Sequence, residues 1–389
     1  MKVLFLTPRY PYKVDGGGLL KTKRMIDFLS NNCEVKVVSL GLGNETKSEE
    51  VNRIEYPLPF EVYSPSLVNL FKSYIKNIPL SLVRNYSKNL SDEISLLIDW
   101  ADVVFVDHFI MFQYIPKEIN KRVVLHQHNA EFKIWERTAD KERNFFKKFA
   151  LYLESFRIKK FEKSICNQSD LIFAAPNDKL ALSELGISPS KIKITYHLGD
   201  DGLLNYPISN FSTLNNDVVF LGNLSWNPNI DGIFWFLNEV WSKVLLSRPC
   251  SNIYIIGNVS CEIKEKLESF SNVKVCGFVD DLNDVLSHCK VFISPLRFGS
   301  GMKVKNITAL YKGMPIVTTT IGAEGIDLED GKNAYITDDP DVFSDSVLNL
   351  FDNPVQCEYM ARSARELGLS KYSWDDNLKH IYKGIKSER

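Results

Sequence analysis

Two lysines, Lys303 and Lys305, stand between a glycine-bearing loop and a helical stretch, within a segment (291–326) that carries more chemistry than any other. A buried-strand run at 291–294 breaks at Pro295, and the chain passes Gly299, Ser300 and Gly301 before the lysines. The helical pattern stops at Gly313, and a second strand follows at 315–319. Such a strand–loop–helix–strand unit offers adaptable backbone, free N–H groups at a helix start and two ammonium charges. It suits an anion, above all a phosphate or diphosphate. The spacing also fits an ordinary β-α-β connection with surface lysines, because a glycine-rich loop alone is a weak signal. A second set is built on histidine. Three of the six histidines fall between 108 and 128. Asp107–His108 follows one predicted strand end, and His126-Gln-His128-Asn129-Ala-Glu131 follows the next. In open α/β sheets the strand ends are where polar site residues gather. His126 alternates with His128 along an extended segment and is expected to point away from it.

The elements that must hold these residues alternate along the whole chain. Strands are predicted at 2–7, 34–40, 102–106, 122–126, 171–175 and 193–196, with a helix at about 19–30 and a long helical stretch over 132–169. Residues 199–216 lose periodicity and gain Asn, Ser, Gly and Pro, the composition of a linker. The alternation then restarts, with strands at 217–221, 252–256, 273–276 and 290–294 and helices between them. This pattern predicts an α/β protein with two doubly wound, Rossmann-like parallel sheets facing a cleft. The expected division is 1–198, a linker at 199–216, a second domain at 217–370 and a closing helical segment at 371–389.

Bulk properties narrow the class. A chain of 389 residues exceeds one compact core. The balance of 47 Lys+Arg against 48 Asp+Glu argues against a dedicated nucleic-acid binder. Seven scattered cysteines show no zinc-ligand spacing and read as reduced thiols. No signal peptide or membrane-length apolar run is evident, so a cytoplasmic location is expected. A nicotinamide-dependent Rossmann enzyme is disfavoured, because no GxGxxG follows a strand at the required distance from an acid.

Four segments resemble the GT-B glycosyltransferases of the large retaining group, family 4. They are PRYPYKVDGGG near the amino terminus, FLGNLSWNPNIDGIFWFLNEVW, the run from VKVCGFVDD to TTTIGAEGI, and YSWDDNLKHIYK. The resemblance spans nearly the whole chain, and its third segment is the most specific. It implies a nucleotide-sugar donor, no metal and no other cofactor. Lys305 matches the family's lysine, and Lys303 holds a commonly basic position. With Ser300 and Gly301 they are expected at the donor diphosphate, as are Gly17 and Gly18 of the amino-terminal loop. Metal-free departure of a diphosphate requires cations and N–H groups where negative charge develops.

The chain also departs from the family. Two glutamates usually stand eight positions apart in the donor motif, and those positions are Ser300 and Thr308 here. The second glutamate usually binds ribose hydroxyls, and a threonine replaces a bidentate carboxylate with one short acceptor. Glu324 is the expected compensating acceptor. HNAE resembles an HNxE signature found in a subset of the family near the transferring sugar. His128 and His108 are therefore expected catalytic residues together with Lys305, and Asn129 and Glu131 are expected near the sugar.

The resemblance implies sugar transfer from a nucleotide-diphosphate sugar to a glycan or lipid-linked acceptor, in bacterial surface-polysaccharide assembly. Alternatives are a nucleotide-sugar epimerase of the same fold and a non-catalytic nucleotide-sugar-binding or scaffold protein. Residues 133–163 carry ten Lys/Arg against five acids, interleaved with aromatics, and 66–87 also mixes apolar and basic residues. An amphipathic core helix with a solvated basic face would give this pattern. So would peripheral attachment to the inner face of the cytoplasmic membrane.

Overall fold

The computed structural model describes residues 1–9, 17–40, 67–299 and 301–387. The chain divides into two compact units, one comprising Met1–Tyr196 with Asp375–Arg389 and the other His197–Trp374.

In the first unit the order is β1 (Lys2–Thr7), α1 (Gly17–Ser30), β2 (Glu34–Ser39), α2 (Leu67–Lys76), α3 (Leu80–Arg84), α4 (Lys88–Ile98), β3 (Val103–Asp107), β4 (Arg122–His126), α5 (Glu131–Lys141), α6 (Phe145–Gln168), β5 (Leu171–Ala174), α7 (Pro176–Glu184) and β6 (Ile192–Ile194). The sheet is parallel, with order β2-β1-β3-β4-β5-β6. Its central strands are apolar on both faces because helices cover both, and Phe5 stacks on Phe105 at 4.8 Å. The chain order of the strands reverses between β1 and β3, so the switch point opens beside Thr7 and Asp107.

The second unit contains β7 (Val218–Leu221), α8 (Asn227–Trp235), a π-helical turn (Phe236–Trp241), α9 (Ser242–Ser247), β8 (Ile253–Ile256), α10 (Cys261–Glu268), β9 (Val273–Gly277), α11 (Asn283–Leu286), β10 (Val291–Ser294), α12 (Val304–Lys312), β11 (Ile316–Thr318), α13 (Thr320–Ala323), β12 (Ala334–Ile336), α14 (Pro340–Asp352) and α15 (Pro354–Lys371). Its parallel sheet has order β12-β11-β10-β7-β8-β9, with the switch point between β7 and β10. The last helix, α16 (Trp374–Lys386), packs from Asp375 onward within the first unit. There Arg122 Nη2 donates to the Gly384 carbonyl at 3.1 Å, and a Cβ on Gly384 would come within 2.5 Å of the Phe173 ring.

Several expectations need correction. The helical stretch at 132–169 is two helices, broken at 142–144, where Asn144 caps α6 by accepting from the Lys147 N–H at 3.1 Å. The segment 199–216 is no loose linker. Leu203 and Phe211 are buried, while Arg365 donates to the carbonyls of Tyr206 and Leu203. Polar side chains such as Asn205, Asn210 and Ser212 are exposed, while backbone carbonyls of the segment are bonded by side chains from elsewhere in the unit. Gly17 and Gly18 open α1 itself; most of the loop before them lies outside the described residues. No described helix is long and apolar enough to cross a membrane.

Candidate active-site clusters

In the second unit the chemistry collects at the switch point. Lys305 lies in the first turn of α12, after β10, and Asn229 in the first turn of α8, after β7. Lys305 Nζ donates to Asn229 Oδ1 at 2.6 Å and sits 4.4 Å over the Phe220 ring. Asn229 is held by donating to the Asn223 carbonyl at 2.8 Å, which turns its own oxygen toward the lysine. Gly222, at the end of β7, makes room: a Cβ there would meet both Asn229 Nδ2 at 2.9 Å and Lys305 Nζ at 3.0 Å. Burial lowers the Lys305 ammonium from its usual range to about 7, and the charge of Lys303 lowers it further. No carboxylate among the described residues offsets this.

Lys303 is the N-cap residue of α12 and is also buried. Its Nζ donates to the Gly301 carbonyl at 2.6 Å and lies 3.9 Å from Glu324 Oε2. Gly299 and Gly301 have φ of 124° and 75°, in the region that favours glycine, so the loop needs both. Ser300 between them lies outside the described residues. Glu324 sits just past α13 and is drawn to the lysine pair through Lys303. Thr308 is buried one turn into α12. Its hydroxyl donates to the Val304 carbonyl at 3.2 Å, and Gly199 packs so closely that a Cβ there would stand 2.4 Å from Thr308 Oγ1.

In the first unit the organising group is Asp107, fully buried at the end of β3. Its Oδ1 lies 2.6 Å from both His126 Nδ1 and His128 Nε2, while Oδ2 accepts from Thr22 at 2.6 Å and Thr7 at 3.2 Å. Burial alone would raise this carboxyl. The His128 charge and the two imidazole hydrogen bonds outweigh it and hold the carboxyl well below the usual range. Burial lowers His126 to about 3, so its ring is neutral and donates from Nδ1. His126 thus does not point away from His128. The strand ends at His126, the alternation stops with it, and both rings turn onto one carboxylate. The ligand atoms of Asp107, His126 and His128 lie within 4.8 Å of one another, close enough to hold a metal ion. As arranged, they are committed to hydrogen bonds, and Asp107 is saturated by four of them.

His108 follows Asp107 with φ 99°, a left-handed conformation unusual for a side chain of this size. Its Nδ1 accepts from the Ile110 N–H at 3.3 Å, fixing the proton on Nε2, which lies 3.8 Å from Glu131 Oε1. Burial lowers this ring to about 3 as well. Burial raises the Glu131 carboxyl to about 7, with His128 and a hydrogen bond from Asn129 opposing the rise. Glu162 of α6 accepts from the Glu131 and Phe132 N–H groups at 3.0 and 2.9 Å, an acid at the positive start of α5. Asp178 accepts from the Ala130 N–H at 2.7 Å. Opposite these acids, Lys21 of α1 is fully buried and its Nζ has no hydrogen-bond partner among the described residues; burial brings its ammonium down to about 7, against the pull of Asp107 and Asp178.

His108, His128, Asn129 and Glu131 are therefore gathered at one sheet end, and Lys303, Lys305, Gly301 and Glu324 at the other unit's. Sequence reasoning missed Asp107, Lys21, Glu162 and Asn229. Asp107 carried a signal, an acid closing an apolar strand. The other three become partners only through folding.

Two parallel α/β units, each with polar clusters at its switch point, define the GT-B class of two-domain Rossmann-like proteins. Residues 215–353 match the family model described as Glycosyl transferases group 1, so the second unit carries a group 1 glycosyltransferase domain. The chain is 24% identical over 365 residues to an uncharacterized 44.6 kDa protein in the cps region of Klebsiella pneumoniae, covering 90% of this chain and 91% of that one. Its fold matches HepE of Anabaena in complex with UDP, at TM-score 0.70 and 14% identity over the full length of both chains. It also matches WaaG, a glycosyltransferase involved in lipopolysaccharide biosynthesis, at TM-score 0.69 and 13% identity over 99% of this chain and 100% of that one.

Proposed function

We propose that the protein is a metal-independent, retaining glycosyltransferase of the cytoplasm. It moves a sugar from a nucleotide-diphosphate donor to a glycan or lipid-linked acceptor in bacterial surface-polysaccharide assembly. The carrying observation is the lysine pair: Lys303, buried, and Lys305, partly buried, with Glu324 at 3.9 Å from Lys303 and a neutral amide against Lys305. A buried cation without a counter-charge is costly, and an incoming anion would remove that cost. As the bond from the sugar carbon to the diphosphate oxygen breaks, that oxygen gains negative charge and the sugar carbon becomes cation-like. Lys305 is already in place to stabilise the departing charge without reorganisation.

The first unit supplies a different service. His108 and His126 are neutral, and the rings are oriented, suited to hydrogen-bonding the hydroxyls of a sugar. The departing phosphate can take the acceptor's proton, so no histidine need act as base. The HepE complexes with UDP and UDP-glucose and the cps-region relative support this reading.

The test is a thermal-shift screen against UDP-, GDP-, dTDP- and ADP-sugars, followed by assay of the stabilising donor with glycan and lipid-linked acceptors. Nucleoside diphosphate release that requires acceptor is expected. Conversion of the donor sugar without acceptor would indicate an epimerase. Binding without turnover on any acceptor would indicate a scaffold.

A further inference from the structure

Helix α2 is inside out. Its polar residues Asn69 and Ser73 are buried, whereas Val68, Leu70, Phe71, Tyr74 and Ile75 are exposed, Phe71 and Ile75 by 68% and 67%. The inversion is held by a buried ion pair from α6. Arg157 donates to Ser73 Oγ at 3.0 Å and to the carbonyls of Ser73 and Ile78 at 3.2 and 3.3 Å, and its guanidinium lies 4.4 Å over the Tyr74 ring. Glu154, 2.7 Å from Arg157, accepts from the Leu80 N–H at 2.6 Å. The polar face of α2 is therefore its docking face, and its apolar face is left outward.

Helix α6 exposes a matching stripe. Phe145, Phe149, Tyr152 and Phe156 recur at spacings of four, three and four, one row along the helix, with Phe146 beside it. The four phenylalanines are 64 to 82% exposed. Lys160 and Lys163 continue the same row. Charge is sorted as well. The acids of α6, Glu154 and Glu162, are both buried, and the charges left toward solvent are lysines 147, 148, 159, 160 and 163. Helix α2 has no acid at all and exposes Lys72 and Lys76.

We infer that this face of the first unit docks on an anionic lipid bilayer, with the α2 and α6 side chains entering the acyl boundary and the lysines meeting the headgroups. Aromatic and aliphatic side chains flanked by lysines, on elements too short or too polar to span, are the pattern of interfacial binding. The charge sorting selects the occupant. A second copy would set lysines against lysines across a two-fold contact, whereas an anionic bilayer neutralises them.

The inference is independent of the proposed transfer reaction, because its readout is lipid binding and requires no turnover. The full chain should co-sediment with phosphatidylglycerol-containing vesicles at 0.1 M salt and only weakly with pure phosphatidylcholine. The triple substitution Phe145→Ser, Phe149→Ser, Phe156→Ser should lower the bound fraction at least about fivefold, through lost apolar insertion. Its melting temperature should hold, because those rings are exposed. The pair Lys147→Glu, Lys160→Glu should likewise weaken binding and make the remainder less salt-sensitive, because what is left is apolar insertion. Failure to sediment with anionic vesicles, binding untouched by both variants, or burial of this face in a stable homodimer would each overturn the inference.

Discussion

The two sheet ends solve opposite electrostatic problems. In the first unit Asp107, Glu131, Glu162 and Asp178 surround a group of imidazoles, and most of these groups are bonded to one another or to backbone N–H groups. In the second unit Lys303 and Lys305 crowd together with Glu324 3.9 Å from Lys303, and burial has already pushed Lys305 down to about 7. The carboxylate at the centre of the first cluster, Asp107, is saturated and orients the rings it touches. The second holds two ammonium groups near one described carboxylate, and the proposed donor diphosphate would supply the balancing charge. A self-satisfied network gives geometry, and a frustrated one gives affinity for charge.

The contrast is broken most directly at Lys305. Lys305→Ala should lower turnover by about two to three orders of magnitude, the scale for removing one preorganised charge-stabilising group. Acceptor binding should change little, and unchanged turnover would sink the donor-site assignment. Next comes Asp107→Asn, which removes the carboxylate that turns His126 and His128. A loss of about ten- to a hundredfold in turnover is expected, as for a group acting through the residues it orients. Nucleoside diphosphate affinity, measured by calorimetry, should stay put. If that affinity also collapses, the two clusters are not separable.

A smaller effect is carried by pH. With its free value near 7, Lys305 is charged below neutrality and increasingly neutral above it. A bound diphosphate restores the ammonium, so binding takes up a proton. Affinity should fall as pH rises from 7 to 9, by up to about tenfold per unit. Calorimetry in buffers of different ionisation enthalpy would count the protons, and Lys305→Met should flatten the slope. The smallest effect tests how ribose is held. Glu324→Gln should raise the donor KM by about threefold to tenfold, the scale of one charge-assisted hydrogen bond. Thr308→Ala should leave KM nearly unchanged, because that hydroxyl is already spent on Val304. The reverse ranking would return the ribose contact to Thr308.

Reading the sequence reached the β/α alternation, the phosphate-like loop and both lysines, because each is a local pattern of strand, glycine and helix start. It reached His108 and His128 through their place after apolar strands. It did not reach the meaning of His126, since alternation along a strand says nothing once the strand has ended. Glu162 and Asp178 escaped for another reason. They serve the start of α5 from 31 and 48 residues away, a relation no window can see. The segment 199–216 was misread by composition, which cannot separate a polar loop in water from one whose carbonyls are taken by Arg365 and Lys312.

The return of α16 to the first unit sets an order of completion during synthesis. Residues 197–374 form an unbroken stretch and can close as soon as they leave the ribosome, in keeping with domains folding as units. The first unit begins earlier but still lacks the helix that lies on Phe173 until α16 emerges. A premature stop shortly after Trp374 would therefore injure the half of the protein made first, leaving the apolar side chains of β5 to chaperones, while the half made second would be whole.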